Sequence, residues 1–137
     1  MKRSAKAVWS GSIKDGSGSF GTGSGAIRDQ TYTFRTRFED APGTNPEELI
    51  AAAHASCFSM ALSAQLGERG ITPQSVETTS NITFENLTLT RSALQSTVKA
   101  RGADRNKIEE AASAAKAGCP ISKVLNLEIA LELDIQV

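Results

Sequence analysis

Hydrophobic and polar residues alternate near both ends of the chain, a pattern typical of half-buried β-strands. A strand is predicted to begin at Ala7-Val8-Trp9, and the chain closes with an alternating strand from Leu127 to Ile135. Between Asp15 and Gly25, five glycines lie among serines, which favours hairpin turns with positive φ. The first 40 residues are therefore predicted to consist of strands and turns.

The segment Thr31–Glu39 also alternates, so it is predicted to be a strand. One face of this strand would carry the aromatic residues Tyr32, Phe34 and Phe38. The other face would carry Arg35 and Arg37 together with Glu39. The pattern thus predicts a pair of arginines on a single surface.

A long helix is predicted after the loop that ends at Asn45. Asn45 is the expected N-cap, Pro46 occupies the first helical position, and Glu48 lies three residues after the cap. The helix is expected to run to about Leu66 or Gly67, with almost no charged residue after Glu48. A helix that is apolar nearly all round must be buried on all sides. In so small a protein, this predicts packing between sheets or against a second subunit.

The second half of the chain contains two more strands and two more helices. The strands are predicted at Val76–Asn86 and Leu87–Ala100, where threonines alternate with apolar residues. A helix is predicted from Asp104, its possible cap, to Ala117, since its middle is rich in alanine and Gly118 follows. A short helix is predicted next, with Cys119 at its N-cap and Pro120 just inside.

Length and composition are those of one domain, residues 1–137, without a polyanionic partner. Lys plus Arg equals Asp plus Glu at 15 each, so no long-range field would attract nucleic acid or a membrane surface. No run is expected to approach the roughly 20 apolar residues of a membrane span. The chain also lacks a signal-peptide pattern, so the expected compartment is the cytoplasm.

In that reducing compartment, two cysteines are free for chemistry, metal binding or packing. Two are too few for a self-contained zinc site, because only His54 could add a soft ligand. Cys57 lies mid-helix among apolar neighbours, where a thiol is inert unless a positive charge such as Arg35 or Arg37 lies nearby. A buried core cysteine is the alternative for Cys57.

Cys119 has a different setting, because unpaired amides and the positive end of the dipole at a helix N-terminus favour a thiolate. An ordinary helix cap is the alternative for this residue.

Glu47 and His54 share the long helix with Cys57. Glu47 lies ten residues before Cys57, which is about 15 Å of helical rise, so the two cannot touch within one straight helix. If both belong to one site, an antiparallel copy of the helix must supply Glu47, which predicts a dimer. Otherwise Glu47 is a first-turn carboxylate favoured by the helix dipole. His54 is three residues before Cys57 and could form a Cys-His nucleophilic pair, although packing is the more common role for such a histidine.

Two motifs resemble the osmotically inducible OsmC family of hydroperoxide reductases. The first comprises Arg37-Phe38-Glu39 and the run from Gly43 to Leu62, and the second is Ala117-Gly118-Cys119-Pro120-Ile121-Ser122. The resemblance covers essentially the whole chain. The amino-acid sequence from His54 to Met60 is more similar to the OsmC branch of the family than to the organic hydroperoxide resistance branch.

The resemblance implies an α+β fold and an intertwined homodimer, with central buried helices that carry the reactive cysteine, wrapped by antiparallel sheets. It implies a peroxidase that acts in oxidative or osmotic stress and reduces organic hydroperoxides to alcohols without metal, haem or flavin. Cys57 would be the attacking thiolate, Cys119 the resolving thiol, and Arg37, held by Glu47, would stabilise the thiolate. An external dithiol, possibly on a lipoylated protein, would reduce the Cys57–Cys119 disulfide.

Two alternatives from other classes follow from the same residues. A Cys-His hydrolase would use Cys57 and His54 on ester substrates and would ignore peroxides. A non-catalytic dimeric module would use its cysteines only for packing.

Overall fold

The computed structural model describes all 137 residues, and the chain forms two compact units, residues 1–49 and 50–137. Each unit contains one three-stranded sheet. Helices accompany both sheets, so the predicted α+β class is confirmed. The boundary between the units falls inside the long central helix.

The first unit is built on an antiparallel sheet in the order β1-β2-β3. Its strands are β1 (Ala5–Ser10), β2 (Ser17–Thr22) and β3 (Gln30–Tyr32). Hairpin turns with positive φ were expected between Asp15 and Gly25, but β2 occupies the middle of this segment and only Gly25 in it has a positive φ. A Cβ atom at Gly18 would lie 2.7 Å from the rings of both Trp9 and Tyr32. Glycine is therefore required here to let two aromatic rings approach the strand.

The predicted strand Thr31–Glu39 is wrong beyond Tyr32, because a short helix, α1 (Phe34–Phe38), follows it. Thr33 is the N-cap: its hydroxyl accepts a hydrogen bond from the Thr36 N–H at 3.2 Å, and the Thr36 hydroxyl accepts one from the Thr33 N–H at 3.0 Å. This reciprocal capping box stabilises the helix start. The segment is therefore helical, although its alternating sequence pattern is typical of a strand.

The change from strand to helix also separates the two arginines. Residues two apart lie on different sides of a helix, whereas they share a face on a strand. Arg35 and Arg37 therefore do not present the single surface that the pattern predicted.

The long helix, α2, runs from Pro46 to Glu68 as one element of 23 residues. Its start follows the prediction, since the Glu48 N–H donates to Asn45 Oδ1 at 2.8 Å. A buried stripe at four-residue intervals faces the core of the second unit, and it consists of His54, Phe58, Leu62 and Leu66. This spacing is that of one face of an α-helix.

The other side of α2 is made of small residues and Met60, whose side chain is 76% exposed. Burial on all sides, as the sequence predicted, is therefore not reached within one chain. By length and composition alone, α2 could cross a membrane, and 22% of its most hydrophobic stretch is buried in the structure. The expectation that no run approaches the length of a membrane span was therefore wrong. The core helix of a soluble protein can meet the same criteria of length and composition, and α2 carries a buried stripe.

The second unit is built on a mixed sheet in the order β4-β5-β6. Its elements are β4 (Ser75–Glu85), β5 (Thr88–Lys99), α3 (Arg105–Gly118), α4 (Pro120–Val124) and β6 (Glu128–Gln136). Strands β4 and β5 are antiparallel, but β5 and β6 are parallel. The expectation of antiparallel sheets is thus wrong for this pair. The reason is the long crossover through α3 and α4, which returns the chain in the same direction.

Candidate active site

The two cysteines, 62 positions apart in the sequence, come together in the second unit. Cys57 lies in the middle of α2, and Cys119 is the residue between α3 and α4. Their Sγ atoms are 2.8 Å apart, and both are free thiols. Since a disulfide bond is about 2.05 Å long, a displacement of under about 1 Å would join them. The sequence predicted both residues, and the fold brings them together.

The two thiols differ in their access to solvent. Cys119 is completely buried, with 0% of its surface exposed, whereas Cys57 is partly exposed. A dissolved molecule can therefore approach Cys57, whereas Cys119 is shielded from it. Cys57 is thus the candidate for the first reaction with a substrate.

The hydrogen bonds around the pair favour negative charge on Cys119. Burial opposes ionisation of Cys119, but the polar groups around its sulfur outweigh burial and lower its pKa. These groups are the Cys57 thiol, the amide and hydroxyl of Ser122, and the amide of Ile121. These amides do not form a regular N-cap hydrogen bond with the sulfur, and they act as dipoles directed towards it.

The surroundings of Cys57 have the opposite net effect, because they raise the pKa of its thiol. Burial raises the pKa of the Cys57 thiol, and its hydrogen bond with Cys119 raises it further. The backbone N–H of Ile121 partly offsets both effects. Within one chain, negative charge is thus favoured at Cys119 over Cys57.

Arg37 and Glu47 form an ion pair in the first unit. Arg37 Nη2 donates to Glu47 Oε1 at 2.8 Å, and Arg37 Nε donates to the same oxygen at 3.1 Å. The second carboxylate oxygen, Glu47 Oε2, is buried and has no hydrogen-bond partner. A buried acceptor without a partner is rare in folded proteins, so this carboxylate is poised to accept a further donor.

Arg35 does not join this pair. Its Nε donates to Glu39 Oε2 at 3.2 Å, and the Arg35 side chain is 72% exposed. An exposed pair of this kind contributes at most about 1 kcal/mol. Of the two arginines that the sequence offered, Arg37 alone is paired with Glu47.

His54 is fully buried and is held by two hydroxyl groups. Its Nδ1 lies 2.6 Å from Ser92 Oγ of β5, and its Nε2 lies 2.8 Å from Ser122 Oγ of α4. Burial lowers the pKa of the imidazole, so the ring is neutral. Both ring nitrogens are occupied, which removes the base that a Cys-His pair with Cys57 would need.

The serine partners of His54 were missed by sequence reasoning. Ser92 occupies a buried position of β5, on the same face as the buried residues Leu94 and Val98. Hydroxyl groups at core positions of an alternating strand need buried partners, and this need is the sequence feature that could have revealed them. No group of three or more His, Cys, Asp or Glu side chains is arranged to hold a metal ion.

Comparison with known proteins places this two-cysteine α+β chain among thiol-dependent redox proteins. The family profile described as "OsmC-like protein" matches residues 38–134. The chain therefore belongs to the OsmC family.

Individual relatives agree with this assignment. "Peroxiredoxin OsmC" of Escherichia coli is 46% identical over 99% of this chain and 98% of the relative. "Organic hydroperoxide resistance protein OhrB" of Bacillus subtilis is 33% identical over 69% of this chain and 73% of the relative. The crystal structure of an OsmC-like protein from Mycoplasma pneumoniae has the same fold, with a TM-score of 0.77 at 15% identity over 100% of this chain and 99% of that one. The chain is a thiol-dependent peroxidase of the stress response.

Burial of neutral His54 predicts a pH dependence of stability. Its folded pKa lies below its unfolded value of about 6.5, so the unfolded chain binds more protons than the folded one below that pH. Stability from this group is therefore complete above about pH 6.5 and is lost as the pH falls. We expect the free energy of unfolding of the wild type to decline more steeply between about pH 7 and 5 than that of His54→Gln, by at most about 1.4 kcal/mol per pH unit. Urea unfolding at several pH values measures the difference, and equal slopes would contradict the prediction.

Proposed function

We propose that this protein reduces organic hydroperoxides to alcohols, with Cys57 as the attacking thiolate and Cys119 as the resolving thiol. The observation that carries the proposal is the 2.8 Å separation of two free sulfurs of which only Cys57 reaches solvent. A resolving thiol has to be close to the attacking one but needs no contact with substrate. Buried Cys119 meets both conditions.

The first step oxidises Cys57 by two electrons. The Cys57 thiolate attacks the terminal oxygen of the hydroperoxide, the O–O bond breaks, and the alkoxide takes up a proton and leaves as an alcohol. The terminal hydroxyl stays on sulfur as a sulfenic acid.

The second step forms the disulfide. The Cys119 thiolate attacks the Cys57 sulfur, the S–O bond breaks, and the hydroxyl takes up one proton and leaves as water. An external dithiol, for example on a lipoylated protein, then reduces the Cys57–Cys119 disulfide by thiol–disulfide exchange. We place this cycle in the cytoplasm, where such dithiols are kept reduced.

The first step requires the negative charge to move from Cys119 to Cys57, which a cation near Cys57 would favour. Arg37, oriented by Glu47, is the proposed cation. Helix α2 is one element from Pro46 to Glu68. About 15 Å of helical rise separates Glu47 from Cys57. The Arg37–Glu47 pair that serves Cys57 is therefore proposed to come from a second copy of the chain.

The exposed side of α2 supports a homodimer. It presents Met60 together with small residues, namely Ala52, Ser56, Ser63, Ala64 and Gly67. Small residues allow two helices to approach closely, and an exposed apolar face of this length is unfavourable in water. Antiparallel packing of two α2 helices would cover both faces and place the Glu47 of one chain near the Cys57 of the other. The buried acceptor Glu47 Oε2 would then be able to gain a donor.

The roles of the two cysteines predict different products with peroxide. Cys57→Ser should lose turnover and form no disulfide, because its thiol is the one that substrate can reach. Cys119→Ser should consume about one peroxide per chain and stop as sulfenic or sulfinic acid at Cys57. Intact-mass spectrometry after trapping of sulfenic acid separates these products. Peroxidase turnover by Cys57→Ser would refute the assignment.

Contribution of Glu47 by the partner subunit predicts complementation in mixed dimers. If the homodimers of Glu47→Ala and Cys57→Ser are each nearly inactive, the heterodimer should have one site with both defects and one site with neither. Its activity should be about half that of wild type, since independent sites add. Isolation with two affinity tags and a turnover assay measures it.

Glu48 provides the control for this experiment. Its side chain is exposed and accepts a hydrogen bond from Thr44 Oγ1 at 2.9 Å. The Glu48→Ala homodimer should therefore stay active, which separates loss of the Arg37 partner from disturbance of the first turn of α2. A Glu47→Ala and Cys57→Ser heterodimer with activity near zero would show that Glu47 acts within its own chain.

A further inference from the structure

A chain of hydrogen bonds joins the partly buried Ser80 to the buried residues Ser92, His54 and Ser122, next to Cys119. Ser80 Oγ lies 3.0 Å from Ser92 Oγ, which lies 2.6 Å from His54 Nδ1. His54 Nε2 lies 2.8 Å from Ser122 Oγ, and Ser122 is the third residue of α4, the helix that Cys119 caps, where its amide and hydroxyl lower the pKa of the Cys119 thiol. The chain connects strand β4, strand β5, helix α2 and helix α4. No step of the proposed peroxidase cycle has so far used it.

The chemistry of these groups fixes the direction of the chain when Cys119 is a thiolate. A serine hydroxyl has one proton, so Ser122 can donate it either to Cys119 or to His54, but not to both. If Ser122 donates to the thiolate, it must accept from His54 Nε2–H. The neutral ring then accepts at Nδ1 from Ser92, and Ser92 is free to accept from Ser80. In this arrangement Ser92 and Ser122 each donate once and accept once, Ser80 donates to Ser92, and all protons are directed towards the sulfur.

We propose that His54 is a positioning residue for disulfide formation: it directs the Ser122 hydroxyl proton at the Cys119 sulfur and keeps that sulfur nucleophilic while it attacks Cys57. This proposal rests on the proposed function, in which Cys119 resolves the sulfenic acid. During the step the Cys119 sulfur supplies the electron pair of the new S–S bond, and the Cys57 S–O bond breaks. The departing hydroxyl leaves as water after it takes up one proton.

The burial of the chain strengthens the argument. His54 and Ser92 have no exposed surface, and Ser122 is buried. Water therefore cannot compete readily for the serine proton or replace the missing partner in a variant. A hydrogen bond to a charged group is stronger than one between neutral groups, and its loss is expected to change a rate by about tenfold or more.

The competition between disulfide formation and overoxidation provides the experiment. In excess cumene hydroperoxide without reductant, the Cys57 sulfenic acid is either captured by Cys119 or oxidised again to sulfinic acid. The peroxide concentration at which half of Cys57 becomes sulfinic acid reports the rate of capture. Ser122→Ala, which removes only one hydroxyl, and His54→Leu should lower this concentration about tenfold. The first oxidation of Cys57 should not be slower in either variant, since the negative charge is held less firmly at Cys119.

Conservative variants and a matched control separate positioning from general stability. Ser122→Thr keeps the hydroxyl and His54→Gln keeps an N–H donor, so both should stay within about threefold of wild type. Ser59→Ala removes a similar helix-to-sheet hydrogen bond, to Thr78 Oγ1 at 2.8 Å, without touching either cysteine or His54. It should leave unchanged the half-point, which is the peroxide concentration that converts half of Cys57 to sulfinic acid.

The outcomes distinguish this proposal from the one on which it rests. Wild-type half-points in Ser122→Ala and His54→Leu, or an equal shift in Ser59→Ala, would overturn the positioning role and leave the peroxidase cycle intact. Absence of a Cys57–Cys119 disulfide in the oxidised wild type would overturn both proposals.

Discussion

The approach of two sulfur atoms to 2.8 Å is the constraint on which the rest of the site depends. It requires the middle of α2 to meet the junction between α3 and α4. The chain fixes α2 there through a stripe of large apolar side chains at four-residue intervals. The ionisation of two thiols held so close is coupled, so whatever stabilises negative charge on one sulfur disfavours it on the other.

This coupling between the two sulfurs accounts for the different roles that we propose for Cys57 and Cys119. Within one chain, the polar groups around Cys119 lower the pKa of this buried thiol, while burial raises the pKa of the partly exposed Cys57. Attack on a peroxide needs the opposite distribution. A cation from a second chain would provide it, and the apolar outer side of α2, which the chain itself leaves uncovered, gives that second chain a place to bind.

Much of this organisation could be predicted from the sequence, because local chemistry determines it. The cap at Asn45 and the cap at Asp104 both form as their residue types predict. The segment after Tyr32 could not be predicted from alternation, because the reciprocal bonds of Thr33 and Thr36 favour a helix. The parallel pairing of β6 depends on the path of the crossover.

The residues of the candidate site also fall into those that the sequence could predict and those that it could not. The four residues with proposed roles in the cycle, Cys57, Cys119, Arg37 and Glu47, were identified from their motifs. The surroundings of His54 depend on hydroxyl groups 38 and 68 positions away, which no local pattern connects to the histidine. The number of domains and the dimer stay predictions.

The most direct test of the central claim is peroxide consumption by the wild-type protein with a dithiol reductant, with cumene hydroperoxide compared with hydrogen peroxide. We predict catalytic turnover with both thiols intact and faster consumption of the organic peroxide, because apolar surroundings at Cys57 favour an apolar substrate. Consumption limited to one equivalent per chain in the presence of the dithiol, or none at all, would contradict the account.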